Sequence, residues 1–458
     1  MPSKGNFTAL VVLVQFPDHI DDGRILPSPD YFRNLCQTNV KRYLQLQSYG
    51  QYHLDDCIVT DWLVTNGTEA FFAAGIANRK APELAAGFAV AALDQFDATD
   101  PDYSILDVDD DGALDCVLLI HSGYASERSF DPDCPSGQQP ADRIQSMAGP
   151  SSNGAWFSRN FNTTNQIYLS GYAIASAFDT TCQNTPALMG VMTHELLHLF
   201  DTPDLYDPNK FVGGLGHFDI MSNPEGAVPG FVPGSASPYT KLGIGWMEAT
   251  EITSDGVYTL QTSNLYPECF VIREGYGPGE YLLIENRYLL DFDEQLPGTG
   301  GGLLIYHIDE QVWQGQARPG WPDLPDYPHS HYSVALLQAD GNYDLEKGWN
   351  SGDAGDYFTD QTRGLLPGSF GFSPNSDSYQ FGMITETGIS ITEITAPAVS
   401  VSFRVSGLGE APSVSPVERH AAVEVELRPT LSSSAATWRW TNRAAAVWTV
   451  LSSLVWLF

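Results

Sequence analysis

The sequence predicts an α+β protein: a region of mixed sheet and helices, followed by a β-rich region. Three observations predict it. Strand-like and helix-like apolar patterns alternate from about residue 6 to 248. From about 249 to 406, short alternating runs separated by Gly, Pro and Asp turns replace them. One helix pattern carries paired histidines, in His194-Glu195-Leu196-Leu197-His198.

In the first region, strands are expected at Ala9–Phe16, Cys116–His121 and Ile167–Ala175. Helices are expected at Pro29–Gln47, Pro82–Phe96 and Pro186–Phe200. The run Phe7–Phe16 is apolar and follows Lys4, as a signal peptide would. Pro17-Asp18 follows instead of a small-residue cleavage site, so the run reads as a buried strand. An export signal is then expected to lie outside this sequence. In the second region, strands are expected at Gly256–Gln261, Tyr281–Glu285, Leu303–Ile308 and Val399–Val405.

These patterns divide the chain into residues 1–248, 249–406 and a tail at 407–458. The tail opens on a Gly/Pro/Ser-rich linker and ends on 15 apolar residues, Ala444–Phe458. That is short of the ~20 residues a spanning helix needs. Small residues at Ser432–Ala435, a polar spacer and the apolar end match a GPI-attachment signal, the one membrane contact expected.

Of 458 residues, 43% are apolar and 17% charged, which allows a sizeable core and excludes global disorder. The net charge of −34 repels phosphate backbones and argues against nucleic acid as a partner. It suits bound divalent cations. Cys36, Cys57, Cys116, Cys134, Cys182 and Cys269 form no CxxC pair. Their even count and wide spacing lead us to expect structural disulfides in an oxidising compartment. Three glycosylation acceptors, at Asn6, Asn66 and Asn162, point the same way.

Thr185-Pro186 reads as a helix start, with Thr as cap and Pro at the first helical position. His194 and His198, four apart, lie one turn apart on one face, where two imidazoles can bind one Zn²⁺. Glu195 is rotated by about 100°, beside the metal, where a general base can take a proton from the attacking water. Pro203 ends the helix, and Asp204, six residues after His198, can return as a third ligand. Asp201 and Asp207 are rivals that spacing does not separate. Glu225, in a non-helical Asn-Pro-Glu-Gly, ranks below them.

A second cation site is expected at Asp107-Val-Asp109-Asp-Asp111-Gly112-Ala113-Leu-Asp115. Carboxylates of Asp107, Asp109, Asp111 and Asp115, with the Ala113 carbonyl, suit a structural Ca²⁺. Position 12 is Leu118 where an EF-hand has Glu. Asp353 and Asp356 could hold another cation, but an ordinary polar turn is the reading preferred.

HELLHLFDTPDLYD resembles the motif of the immune inhibitor A-like metallopeptidases, a metzincin-like branch of zinc proteases, with Asp204, Tyr206 and Asp207 in register. Gly214–Ser222 resembles the family's stretch carrying the Met-turn, which implies Met221 beneath the metal. Leu10–Asp18, Ser48-Tyr49-Gly50, Tyr239–Trp246, Tyr281–Glu310 and Leu337–Tyr357 also resemble family blocks, so the likeness covers about residues 6 to 360. It implies a zincin/metzincin-like catalytic domain and a zinc endopeptidase, usually secreted and made as a zymogen, acting on protein or peptide substrates. It also favours a metal-stabilised Asp107–Asp115 loop. The family has Gly where this chain has Asp201, at a position where a left-handed backbone ends the helix. Asp tolerates that conformation better than most residues. The rival from another class is a catalytically inactive, cation-stabilised surface binding or adhesion protein with the same fold.

Overall fold

A computed structural model describes residues 3–73, 82–127, 142–150, 156–158, 167–179, 184–207, 213–227, 232–312 and 318–409. The apolar tail beyond 409, Cys134, Cys182 and Asn162 lie outside the described residues.

The first sheet is mixed. Its strands are β1 (Gly5–Gln15), β2 (Tyr52–Val59), β3 (Leu63–Val64), β5 (Val117–Tyr124), β6 (Met147–Pro150) and β8 (Gly171–Phe178), in the order β2-β1-β5-β8-β6 with β3 beside β1. β4 (Ala113–Leu114) and β7 (Tyr168–Leu169) make a separate parallel pair. β1, β2, β5 and β8 run parallel, while β6 is an antiparallel edge on β8. β1 is central and buried throughout Phe7–Val14, which is why it reads as an unbroken apolar run.

The period of two sends its side chains into two cores. Phe7, Ala9, Val11 and Leu13 pack with Met192, Leu196 and Leu197 of helix α5 (Met189–His198). Leu10, Val12 and Val14 pack with Phe88, Ala89 and Ala92 of α4 (Pro82–Asp97). The expected helix at 29–47 is continuous. α1 (Pro29–Asn34) is capped by Ser28, passes through a π segment at Leu35–Val40 and becomes α2 (Lys41–Gln47). Cys36 of the π segment is bonded to Cys57 of β2. Cys116 and Cys269, expected in disulfides, are instead buried free thiols. Cys116 lies among apolar core side chains, where a small, weakly polar thiol packs without a partner.

One helix start also differs. α5 begins at Met189, three residues later than Pro186. Pro186 bridges Phe178, and the Ala187 N–H donates to the Ala177 carbonyl, so residues 185–187 extend the β8 pairing. Sheet hydrogen bonds there outcompete the local Thr-Pro signal.

The second region builds a five-stranded sheet from β9 (Glu248–Glu251), β11 (Glu268–Ile272), β12 (Glu280–Arg287), β13 (Gly302–Asp309) and β14 (Val334–Leu336). β10 (Gly256–Gln261), β15 (Ser390–Thr392) and β16 (Ser400–Ser406) make a three-stranded sheet. Leu283, Leu304 and Tyr306 share the core of α5, while Leu282, Ile284, Leu303 and Ile305 face Val401, Phe403 and Val405. The change of sheet near residue 248 therefore falls inside one compact unit spanning 1–411. No helix among the described residues is long and apolar enough to cross a membrane.

Candidate metal centre

α5 positions the two histidines, and its last turn places the third group. The chain leaves the helix through Asp201, whose φ is +62°. This is the left-handed turn that the resemblance implies for this position, taken here by Asp rather than Gly. Thr202 locks the turn: its hydroxyl donates to the Leu197 carbonyl at 2.8 Å. Asp204 is thereby returned to the histidines, with Oδ1 3.1 Å from Nε2 of His194 and 3.2 Å from Nε2 of His198. The two Nε2 atoms are 3.2 Å apart.

The backbone sets the tautomers. Nδ1 of His194 contacts the Ile220 carbonyl at 2.9 Å, and Nδ1 of His198 the Thr202 carbonyl at 2.7 Å. A carbonyl only accepts, so each Nδ1 carries the proton and each Nε2 presents a lone pair. Two lone pairs and a carboxylate oxygen thus converge, which is favourable only around positive charge. The triangle they form matches the roughly 3.3 Å ligand–ligand edge of a tetrahedral zinc site with bonds of about 2.0–2.1 Å. The donor set fits the metal.

The electrostatics show the same need for positive charge: with no cation bound, a proton on the imidazole takes its place. Burial works against a charged His194, but the Asp204 hydrogen bond and the Glu195 charge raise its pKa to about 9. Burial also opposes ionisation of Asp204, yet the two imidazoles hold its carboxyl well below the usual range. Glu195 is pushed up to about 7 by burial, against the pull of both histidines. Its carboxylate lies within 4.8 Å of the two imidazoles. Its Oε2 is buried with no hydrogen-bond partner, and its side chain faces the cleft. Asp204 makes the shorter contacts to both rings, and Glu195 lies beside the triangle.

The other sequence candidates go elsewhere. Asp201 is exposed on the cleft wall. Asp207 is buried and accepts from the Tyr332 hydroxyl at 3.5 Å. Met221 is buried under the turn, with the Thr202 hydroxyl 3.7 Å from its sulfur. Ser48-Tyr49-Gly50 and Tyr239–Trp246 meet through Lys241, whose Nζ donates to the Tyr49 hydroxyl and the Ser263 carbonyl, each at 3.2 Å. Glu225 is outside the triangle but lines a cavity beside Glu195. The larger cleft, about 570 Å³, runs between α5 and the edge strand β6, a wall that no sequence motif announced.

In the acidic loop, carboxylate oxygens of Asp107, Asp109 and Asp111 come within 4.8 Å of one another. The N–H groups of Asp111 and Gly112 donate to Asp107, and that of Ala113 to Asp111. Asp115 is outside this group. Its Oδ2 accepts from the Val108 N–H at 2.9 Å, and burial first, then the neighbouring aspartates, pushes its carboxyl up to about 6. Asn6 and Asn66 are exposed.

Residues 28–246 match the family described as immune inhibitor A peptidase M6, catalytic domain. Immune inhibitor A of Bacillus thuringiensis subsp. alesti is 27% identical over 241 residues, 46% of this chain. That alignment covers 33% of the relative, so the chain spans about a third of its length. Over this segment, the chain is similar to the immune inhibitor A-like metallopeptidases.

Proposed function

We propose that the protein is a secreted zinc-dependent endopeptidase, with His194, His198 and Asp204 holding the metal and Glu195 as general base. The observation that carries this reading is the convergence of three acceptor atoms, 3.1–3.2 Å apart, on one point of the cleft. Zinc, when bound, supplies a Lewis acid that polarises a peptide carbonyl and acidifies water. The chain's own groups do the rest. The carbonyls of Ile220 and Thr202 fix the ligand tautomers. Glu195, buried and with one oxygen unpartnered, takes a proton from the attacking water and returns it to the leaving amine. Burial raises its carboxyl in the metal-free site, the direction a general base working near neutral pH needs. The Asp107–Asp111 carboxylates would hold a structural Ca²⁺ that fixes the loop feeding β5. The Cys36–Cys57 bond supports an oxidising, extracellular setting, and the exposed Asn6 and Asn66 suit glycosylation there.

The test is zinc stoichiometry and casein cleavage for the wild type and Glu195→Gln. Equal zinc with cleavage lost only in the variant is expected. Bound zinc without cleavage by the wild type would replace this reading with a cation-stabilised binding protein.

A further inference from the structure

The peptide unit between Ile220 and Met221 is held at both ends. Its carbonyl, on Ile220, accepts from Nδ1 of His194 at 2.9 Å. Its N–H, on Met221, donates to Oδ1 of Asp219 at 2.6 Å. Asp219 is fully buried. Its other oxygen accepts from the Ser237 N–H at 2.7 Å and the Thr240 hydroxyl at 2.8 Å, both at the start of the helix Pro238–Ile244. Two donors thus tie the carboxylate to that helix start, and the carboxylate ties down the peptide. A flip of the peptide would turn an N–H toward the Nδ1–H of His194 and a carbonyl oxygen toward Asp219. Both contacts are repulsive and leave buried groups unpaired.

The two bonds also act on each other. An N–H that donates to an anion makes a charge-assisted, short bond. That bond pushes electron density toward the carbonyl end of the same amide, which becomes a stronger acceptor. A stronger acceptor on Nδ1–H makes the Nε2 lone pair of His194 a better metal donor. The same segment reaches a second ligand candidate: the Met221 carbonyl accepts from the Leu205 N–H at 2.8 Å, next to Asp204. His198 is backed differently. Its Nδ1 faces the Thr202 carbonyl, and the nitrogen of that amide belongs to Pro203, which has no N–H for a carboxylate to hold.

We propose that Asp219 is a positioning residue of the metal centre: through the Ile220–Met221 peptide it aims His194 at the metal and strengthens it as a ligand, which makes the two histidines unequal. The assignment rests on the zinc reading above. Its test compares the wild type with Asp219→Asn and Thr240→Val. Asn keeps the shape of Asp but offers one acceptor oxygen, without charge, to three donors. Val removes one support of Asp219 and leaves its bond to Met221. Competition with a chromophoric chelator reads zinc affinity. NMR of the zinc-loaded protein, with ¹⁵N-labelled histidine, reads the ring N–H groups. Asp219→Asn is expected to weaken zinc binding by about 10–100-fold, the range for groups that orient a ligand. It should move the Nδ1–H signal of His194 upfield and leave that of His198 in place. Thr240→Val should lower Tm, keep affinity within a few-fold and move neither ring signal. Should Asp219→Asn fail to fold, the wild type still decides. Zinc on Nε2 makes Nδ1–H a stronger donor, so zinc loading should shift the Met221 amide proton downfield by more than that of Ser237, which donates to the same carboxylate. Three results overturn the assignment and leave the peptidase standing: affinity and His194 signal unchanged in Asp219→Asn, equal loss of affinity in Thr240→Val, or a Met221 amide that does not respond to zinc. A wild type that binds no zinc overturns the peptidase reading, and the role of Asp219 with it.

Discussion

Gly190 of α5 and Pro224 of the turn after Met221 approach so closely that a Cβ on Gly190 would lie 1.9 Å from the Pro224 carbonyl oxygen. The obstacle is backbone, not the end of a flexible side chain. The contact lets the turn carry Glu225 against the helix, within reach of the cavity beside Glu195. Two effects compete in Gly190→Ala. Helix propensity favours Ala by about 0.5–1 kcal/mol. Overpacking of a tight contact costs about 1–3 kcal/mol. The clash is severe, so the expected outcome is net destabilisation, read as a lower Tm and an earlier denaturant midpoint. A stabilised variant would show that the turn moves away freely.

Asp204 and Asp201 should separate in zinc affinity. Asp204→Ala removes an atom 3.1–3.2 Å from both imidazoles and is expected to weaken zinc binding by at least about a hundredfold. That exceeds the 10–100-fold typical of partners that only orient a ligand. Asp201→Gly should leave affinity within a few-fold, and should add about 0.5–1 kcal/mol of stability, because φ at this position is +62°. Competition titration with a chromophoric chelator checks the first, and thermal unfolding the second. Equal losses of affinity in the two variants would remove Asp204 from its special place.

The parts of this site that were legible in the sequence are those fixed by helix periodicity. Residues four apart share a face whatever the surroundings, so the His194–His198 pair and the offset of Glu195 were readable. The choice of Asp204 over Asp201 and Asp207 was not, because it depends on a left-handed residue and on the Thr202 hydroxyl that closes the turn. β1 was readable because a strand buried on both faces leaves an unbroken apolar run. The false helix start at Pro186 arose because its local cap signal is overridden by pairing with β8, a non-local contact. Likewise, cysteine counting could not see that Cys116 and Cys269 are buried as free thiols. The cavity beside Glu195 was invisible because Glu127, Val191 and Glu225 come from three separate segments.

The acidic loop gives a prediction about stability. Asp107, Asp109 and Asp111 bring three carboxylates together, and such a group repels itself unless a cation intervenes. EGTA treatment with zinc restored is therefore expected to lower Tm, and added Ca²⁺ to recover it. Asp109→Asn should reduce the size of that shift, since Asp109 belongs to the group and accepts one longer backbone bond, from the Asp111 N–H at 3.3 Å, where Asp107 accepts two. An unchanged Tm on chelation would reject a structural cation here.

Arg287 is fully buried and holds the second region's sheet to the metal-centre loops. Its guanidinium lies 2.7 Å from Glu285 and 3.4 Å from Asp293, and reaches the carbonyls of Phe218 and Ser235. Arg287→Met is expected to cost about 3–5 kcal/mol, because Glu285 and Asp293 are left as uncompensated buried charges. The double variant Arg287→Met/Glu285→Gln should recover part of that loss. Denaturant unfolding of both variants measures the coupling, and simple additivity would argue against the pair acting as a unit.

Glu69 yields a pH dependence whose sign can be worked out. Its carboxyl has no exposure, with His19 Nε2 3.4 Å away and the Ile144 N–H donating to it at 3.2 Å. Burial, only partly offset by that N–H and by Arg24, pushes its pKa from 4.5 up to about 8. The folded state therefore keeps a proton that the unfolded chain releases near 4.5, and the associated stability is lost as pH rises from there through about 8. Buried His121 and His19 act in the opposite sense. Burial lowers them to about 3 and about 4, so their contribution is present above 6.5 and lost as pH falls. Total stability mixes these trends, but the difference between Glu69→Gln and the wild type isolates the carboxyl, since Gln does not titrate. That difference should move in favour of the variant between about pH 5 and 8 and then level off. Parallel stability curves for the two proteins across this window would mean that Glu69 is ionised inside the fold, and would point to His19 or Arg24 as its charged partner.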